Sequence, residues 1–431
     1  MLGSFGNNPS SRGRGGRDDE AAAGPSSTLS SALDLSCPYT HQYNLYLQPS
    51  PVLHTRQMLL TVAELISQSN FSAAHHLLSV LSAKYYSPYG DSTDRLAYQF
   101  CRALSIRLGH HLGTAAPIGS FTSGDPRELQ SCYLSLNQVT PFVRFSHLTA
   151  NQAILDAISS GGGCGQGHLQ QSIHIVDFDI MHGVQWPPFM QALADRTTPP
   201  PKLRITGAGS DLDSLNRTGD RLSKFAHSLG LPFHFHPLHI MNDNEAGPLM
   251  IPVYPNEIVA VNLVMYLHRL IRSDREAREL RTFLHRIRSL NPRIVTVAEH
   301  EASHNHPSFL RRFVEALDHY AAVFGSLEAT LPPNSRERIA VETVWFGREI
   351  ADIVAAEGDG RRERHERFES WEILLRGSEF RNVPLSPFAI SQAKLLLRLH
   401  YPSEGYQLQI KNNSVFLGWQ NRPLLSVSSW R

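Results

Sequence analysis

The run Ile173-His174-Ile175-Val176-Asp177-Phe178, followed closely by Trp186-Pro187-Pro188, constrains this chain more than any other stretch. A short, mostly β-branched apolar run that gives way to acidic residues, a glycine and a proline pair reads as strand, turn and helix N-terminus. Proline fits a first helical turn because its missing N–H would have no partner there, and Phe189, Ala192 and Leu193 then share an inward face. A βα unit in mid-chain predicts an α/β sheet, with any active site beyond the C-terminal ends of its strands.

The rest of the chain extends that unit. Residues 203–206, ending in Gly207 and Gly209, read as a second strand, and 217–229 as a helix. Residues 233–238 form a third strand, 257–264 a fourth that is continuously apolar and so buried on both faces, and 293–298 a fifth after an Arg-rich helix. Leu310, Phe313, Leu317, Tyr320 and Phe324 line one face of a long helix, and further helices are expected over 340–357 and from Ser386, an N-cap with Pro387 behind it. Residues 406–411, an Asn412-Asn413 turn, 415–419 and 424–430 read as an antiparallel hairpin or meander. Alternating strands and helices imply a parallel sheet with right-handed crossovers, and five such strands closed by an antiparallel hairpin is the layout of the class I methyltransferase fold.

Upstream, residues 1–44 are rich in Gly, Ser, Ala and Arg and cannot bury enough surface to offset the entropy of ordering, so a disordered tail is expected, with Arg12, Arg14 and Arg17 as solvated linker. From Thr55 the pattern is helical. Leu59, Val62, Ala63 and Ile66 repeat at i, i+3, i+4, i+7, as do Ala74, Leu77, Leu78 and Leu81 after the Ser69-Asn70 break. A third helix carries Ala97, Phe100, Leu104 and Leu108, and after a loop over 109–126 helical signal resumes over 129–158. Residues 45–160 are therefore expected as a mainly helical cap and 161–431 as a Rossmann-like core. Gly161 to Gly167 precede a strand rather than follow one, so they read as a connector and not a phosphate loop.

Forty Lys plus Arg against 39 Asp plus Glu leave a formal charge of +1, so no global field draws the chain to nucleic acid or membrane. Cys37, Cys101, Cys132 and Cys164 are scattered without a CxxC pair, which argues against a zinc ribbon or a disulfide framework. No window approaches the ~18 apolar residues of a membrane span, and no signal peptide is evident; a nuclear or cytosolic protein is expected.

Methyltransferase chemistry needs a glycine-rich turn after the first strand and an acidic residue near the end of the second. Here the first turn is Phe178-Asp179-Ile180-Met181-His182-Gly183, crowded and with one glycine, although Asp211 could serve as the acid. S-adenosylmethionine-dependent methyl transfer is the alternative reading; no catalytic, cofactor or metal residues are expected. Asp177 and Asp179, two apart, point to one face of an extended segment but lack a companion base. His300-Glu301-Ala302-Ser303-His304 matches HExxH, yet it starts straight off a strand and ends at Asn305-His306-Pro307, so it reads as a polar loop rather than a zinc-binding helix. His234, His236 and His239 read likewise. The mixed-sign run 361–367 reads as a solvated helix face, with Arg361, Arg362 and Arg364 as candidate DNA contacts.

Taken together, these motifs resemble the plant GRAS family of transcriptional regulators. Ile173, His174, Ile175, Val176 and Asp177 with the trailing Gln185-Trp186-Pro187 look like its VHIID signature, and the leucine-rich helices of 55–108 and 215–231 resemble its two leucine repeats. Pro255, residues 311–320 and Arg348-Glu349 resemble its PFYRE region; Trp371, Trp419 and Ser428-Ser429-Trp430 resemble its SAW region. Val176 and Ser429 depart from the pattern conservatively. The opening Met1-Leu2-Gly3-Ser4-Phe5, the short tail and the length are similar to the Lateral suppressor subgroup, which promotes axillary meristem formation. The resemblance implies a non-enzymatic nuclear regulator with no cofactor. Its partners would be other GRAS proteins or transcription factors, as a homo- or heterodimer, with direct DNA contact as a further option. Leu59, Val62, Ile66, Leu77, Leu78, Leu81, Leu215, Leu222 and Leu229 are the candidate partner contacts.

Overall fold

The first strand, β1 (Ser172–Asp177), lies between β2 (Lys202–Gly209) and β4 (Glu257–Val264), parallel to both, with Ile175 opposite Ile205 and Asp177 opposite Asn262. The structure is a computed structural model that describes residues 51–114, 126–160, 172–196, 198–240, 251–272 and 277–431. The tail expected over 1–44, its three arginines and the 161–167 connector lie outside these residues. β3 (Phe233–His239) and β5 (Ile294–His300) complete the parallel half. The antiparallel half comprises β6 (Asn382–Val383), β7 (Tyr406–Lys411), β8 (Ser414–Trp419) and β9 (Arg422–Trp430). Strand order is β3-β2-β1-β4-β5-β9-β8-β7, with β6 paired to β9, so the fold is the expected methyltransferase-like α/β sheet. The last strand is not an outer one: β9 sits between β5 and β8, with Val295 opposite Trp430.

Side chains alternate across the sheet, and each face has its own cover. Ile173, Ile175, Leu203, Ile205, Ala260 and Ile294 face a large helical layer, whereas Val176, Val259, Val261, Leu263, Val295 and Val297 face a smaller cluster. The large layer begins with α1 (Pro51–Ser67), α2 (Phe71–Lys84) and α3 (Ser92–His111). The turn between α1 and α2 comes from Ser69, at φ 60°, and Asn70, whose side chain caps α2 by accepting from the Ala73 N–H. The helical signal of 129–158 is two helices, α4 (Pro126–Val139) and α5 (Pro141–Ser159). Pro141 holds Thr140 extended, at φ −118° and ψ 152°, which breaks the run.

α6 (Trp186–Arg196) and α7 (Leu212–Ser228) cross between strands, and α8 (Ala277–Ser289) covers the other face with Leu280, Phe283, Leu284 and Ile287. Later chain segments join the N-terminal helices. α9 (Phe309–Thr330) and α11 (Gly347–Ala355) pack on α3, and α10 (Arg336–Ala340) and a π-turn over Val341–Phe346 on α4; Phe100 of α3 meets Phe313 edge-on, and buried Arg95 pairs with Glu342 at 2.7 Å. α12 (Phe368–Gly377) and α13 (Pro387–His400) complete the α-helices among the described residues; Ser386 caps α13 by accepting from the Ala389 N–H, as its position before proline predicts.

Candidate functional site

The C-terminal ends of β1, β4 and β5 carry a buried polar network where a cofactor would sit on this fold. Asp177 Oδ1 accepts from Asn262 Nδ2 at 3.0 Å, and Oδ2 accepts from the Trp186 indole N–H at 2.9 Å. Asn262 exchanges two hydrogen bonds with the Gln185 side chain and accepts a third from Thr296 Oγ1. Asn151 of α5 closes the set by donating to the Gln185 carbonyl at 2.8 Å and accepting from its amide. All six residues are at most 6% exposed, so each donor and acceptor is matched inside the protein. Burial pushes the Asp177 carboxyl up to about 7, against the pull of Asn262 and Trp186.

His174, three residues earlier in β1, is also internal. Its Nδ1 faces the Arg204 guanidinium at 3.0 Å and its Nε2 faces Thr206 Oγ1 at 2.8 Å, which fits a neutral ring with the proton on Nε2. Burial and then Arg204 hold its pKa down to about 4. Arg204 itself forks onto Glu257.

The turn after β1 is filled, but not by every side chain its composition suggests. Phe178 points to the opposite face, where it packs against Tyr266 and Phe283. Ile180 is the plug. A Cβ on Gly207 would come within 2.6 Å of Ile180 Cδ1 and 2.9 Å of Phe235, so the glycine of β2 serves side-chain packing instead of a ligand's approach. Met181 adopts φ 46° and packs on the core only in part, and His182 stacks on Tyr133 while its Nε2 meets the Gln130 carbonyl at 3.1 Å. Asp211, the candidate ribose ligand, is exposed and caps α7 by accepting from the Asp213 N–H. Asp177 and Asp179 do not share a face. The strand ends at Asp177, the chain turns, and Asp179 pairs with Arg269.

The HExxH stretch is a loop, as expected, but an interior one. Glu301 receives the Phe368 N–H on both oxygens and so caps α12, while His304 Nδ1 faces His365 Nδ1 at 2.9 Å. The run 361–367 is neither a helix nor a solvated face: it is an extended strap laid into the protein. Arg361 is 4% exposed and donates to the His304 carbonyl, and Arg364 is 5% exposed and reaches the carbonyls of Arg361 and Gly358 and the side chain of Asn305. Neither guanidinium is on a surface where DNA could be met. Arg362 alone of the three candidates is exposed. The charge pattern misled because both signs are used internally.

Of the candidate partner contacts, Leu59, Val62, Ile66, Leu78, Leu81, Leu215 and Leu222 are buried in the core, and Leu77 and Leu229 are half-buried against it. Their leucine periodicity is that of packed helices. Pro255 is exposed, Arg348 lies over the Trp345 ring, and buried Glu349 accepts from the Tyr320 hydroxyl at 2.8 Å. Trp371, Trp419 and Trp430 are all buried, Trp419 edge-on to Tyr406 and Trp430 beside Phe368. Sequence reasoning missed Asn151 and Asn262, and named Gln185 only as part of the signature, without its place in this network. Asn262 had a visible signal, a lone amide within the doubly buried apolar run of β4, where a polar group is tolerated only with partners.

The model of the GRAS domain family matches residues 55–431. The chain belongs to the GRAS family. Among its GRAS relatives, Scarecrow-like protein 18 of Arabidopsis thaliana is 51% identical over 414 residues, covering 87% of this chain and 91% of that one. Protein MONOCULM 1 of Oryza sativa is 44% identical, covering 88% of each. The crystal structure of SCL7 in Oryza sativa superposes with a TM-score of 0.72 at 36% identity, over 89% of this chain and 100% of that one. GRAS proteins are plant transcriptional regulators, and this GRAS chain is one of them. Among the described residues no helix is long and apolar enough to cross a membrane.

Proposed function

We propose that this GRAS protein is a non-enzymatic nuclear co-regulator that acts by contact with other GRAS proteins or transcription factors during axillary meristem initiation and shoot branching. The observation that carries the reading is the closed end of the sheet. Ile180 occupies the space over Gly207, and the Asp177, Asn262 and Gln185 side chains satisfy one another, so the groups that would bind a cofactor are already spent. Similarity to MONOCULM 1, and the sequence likeness to the Lateral suppressor subgroup, support the meristem role.

The test is a loss-of-function plant complemented with the tagged chain. Nuclear tag signal and restored axillary bud number are expected; normal branching without the gene product would overturn the developmental role. Calorimetry of the purified chain with S-adenosylmethionine separates the alternative, because micromolar binding is incompatible with a plugged turn.

A further inference from the structure

The strap 361–367 crosses the ends of β4 and β5 at a cluster that regulation by protein contact does not use. His268 sits in the 3₁₀ turn Leu267–Leu270 just after β4, Glu299 near the end of β5, and Glu363 and His365 on the strap. His268 presents Nδ1 to Glu299 Oε2 at 2.6 Å and Nε2 to Glu363 Oε2 at 3.2 Å. His365 spends Nδ1 on His304 and holds Nε2 3.3 Å from the same Glu363 oxygen, out of hydrogen-bond alignment. His268, Glu363 and His365 are all buried, and one donor atom from each lies within 4.8 Å of the others.

We propose that His268, Glu363 and His365 bind one divalent transition-metal ion of the zinc class. Bonds of ~2.0–2.2 Å at tetrahedral angles place neighbouring donors about 3.3 Å apart, and the two nitrogens stand 3.2 and 3.3 Å from the carboxylate oxygen. The supporting contacts fit as well. A ligating imidazole characteristically gives its other N–H to a carboxylate or another acceptor, which fixes the tautomer that leaves a lone pair for the metal; Glu299 stands in that place for His268, and His304 for His365. Two imidazoles and a carboxylate suit Zn²⁺, Co²⁺ or Fe²⁺ rather than the all-oxygen preference of Ca²⁺ or Mg²⁺. The ion's role is structural: it pins the strap to the strand ends, leaving one position for the second Glu363 oxygen or a water.

The experiment loads the full untagged chain with Zn²⁺ during expression, removes loose ions with a weak chelator and counts metal per chain. About one equivalent is expected, with a rise in Tm over chain expressed under zinc depletion. His365→Gln should lose the ion while Arg362→Ala keeps it. Folded wild-type chain retaining less than about a tenth of an equivalent would overturn the site, as would equal retention by folded His365→Gln. Should that variant not fold, Co²⁺ in the wild type decides: an intense tetrahedral d–d band supports the site, and its absence means the cluster is a plain ion-pair lattice.

Discussion

The Trp186 indole N–H donates to Asp177 Oδ2 at 2.9 Å, which ties the first residue of α6 to the last residue of β1 across the turn between them. The bond explains why a buried acid and a buried tryptophan belong to one motif. Trp186 is fully buried and edge-on to Phe189, so the same ring anchors the helix by packing and the strand end by hydrogen bonding. Asp177→Ala leaves the Trp186 and Asn262 donors without a partner in a dry interior. A loss of roughly 2–4 kcal/mol is expected in urea unfolding, with Trp186→Phe costing about 1–2 kcal/mol because only one bond is lost. An Asp177→Ala chain of wild-type stability that fails only in partner binding would move the residue from scaffold to interface.

The same carboxyl predicts a pH signature. Its folded pKa, about 7, stands above the ordinary 3.8, so between those values the folded protein holds a proton that the unfolded chain has released. Asp177 therefore contributes full stability below pH 3.8 and loses it as pH rises toward 7, by roughly 4 kcal/mol. Buried His174 and His304 titrate with the opposite sign, but in wild type and Asp177→Asn alike. The expected outcome is thus in the difference: relative to Asp177→Asn, wild type is more stable at pH 5 than at pH 8. A constant difference across that range would show that the carboxyl is not desolvated.

How much of this was readable from the chain follows from what periodicity encodes. Helical spacing and β-branched runs report which side of an element is wet, and they located every long strand, the Asn70 break and the Ser386 cap. They do not report direction after a turn. Phe178 and Ile180 differ by two residues, which in an extended segment would put them on one face; once the chain turns at Phe178 they face different clusters. Nor does a charge pattern say whether opposite charges meet water or each other. Residues 361–367 have the composition of a solvated helix, and only contacts with His304, far off in sequence, and with Asp352 and Gly358 just upstream reveal a buried strap.

That burial makes the strap's arginines separable by experiment. Arg361→Ala strands the His304 carbonyl inside the protein and is expected to lower stability by about 2 kcal/mol, whereas exposed Arg362→Ala should leave it within ~0.5 kcal/mol. If the protein contacts DNA directly, the arginines to test are the exposed Arg278 and Arg281 of α8. Their replacement should flatten the salt dependence of promoter binding, and an unchanged slope would remove that helix from consideration.

The C-terminal tryptophan tests the sheet order itself. Were β9 an outer strand, removing residues 428–431 would fray an edge and leave the rest folded. It lies instead between β5 and β8, and Ser428, Ser429 and Trp430 pair with Val297, Thr296 and Val295. The indole is fully buried beside Phe368, its N–H on Ser428 Oγ at 2.9 Å, and truncation would expose both the inner edge of β5 and the α12 cluster. Trp430→Ala is expected to cost about 3–5 kcal/mol, and deletion of 428–431 to yield aggregated chain, because an uncovered interior strand edge is a template for pairing with another copy. Size-exclusion chromatography and circular dichroism of the truncated chain provide the check. A monomeric, cooperatively melting product would mean that β5 does not depend on β9 for its partner, and the strand order would have to be redrawn.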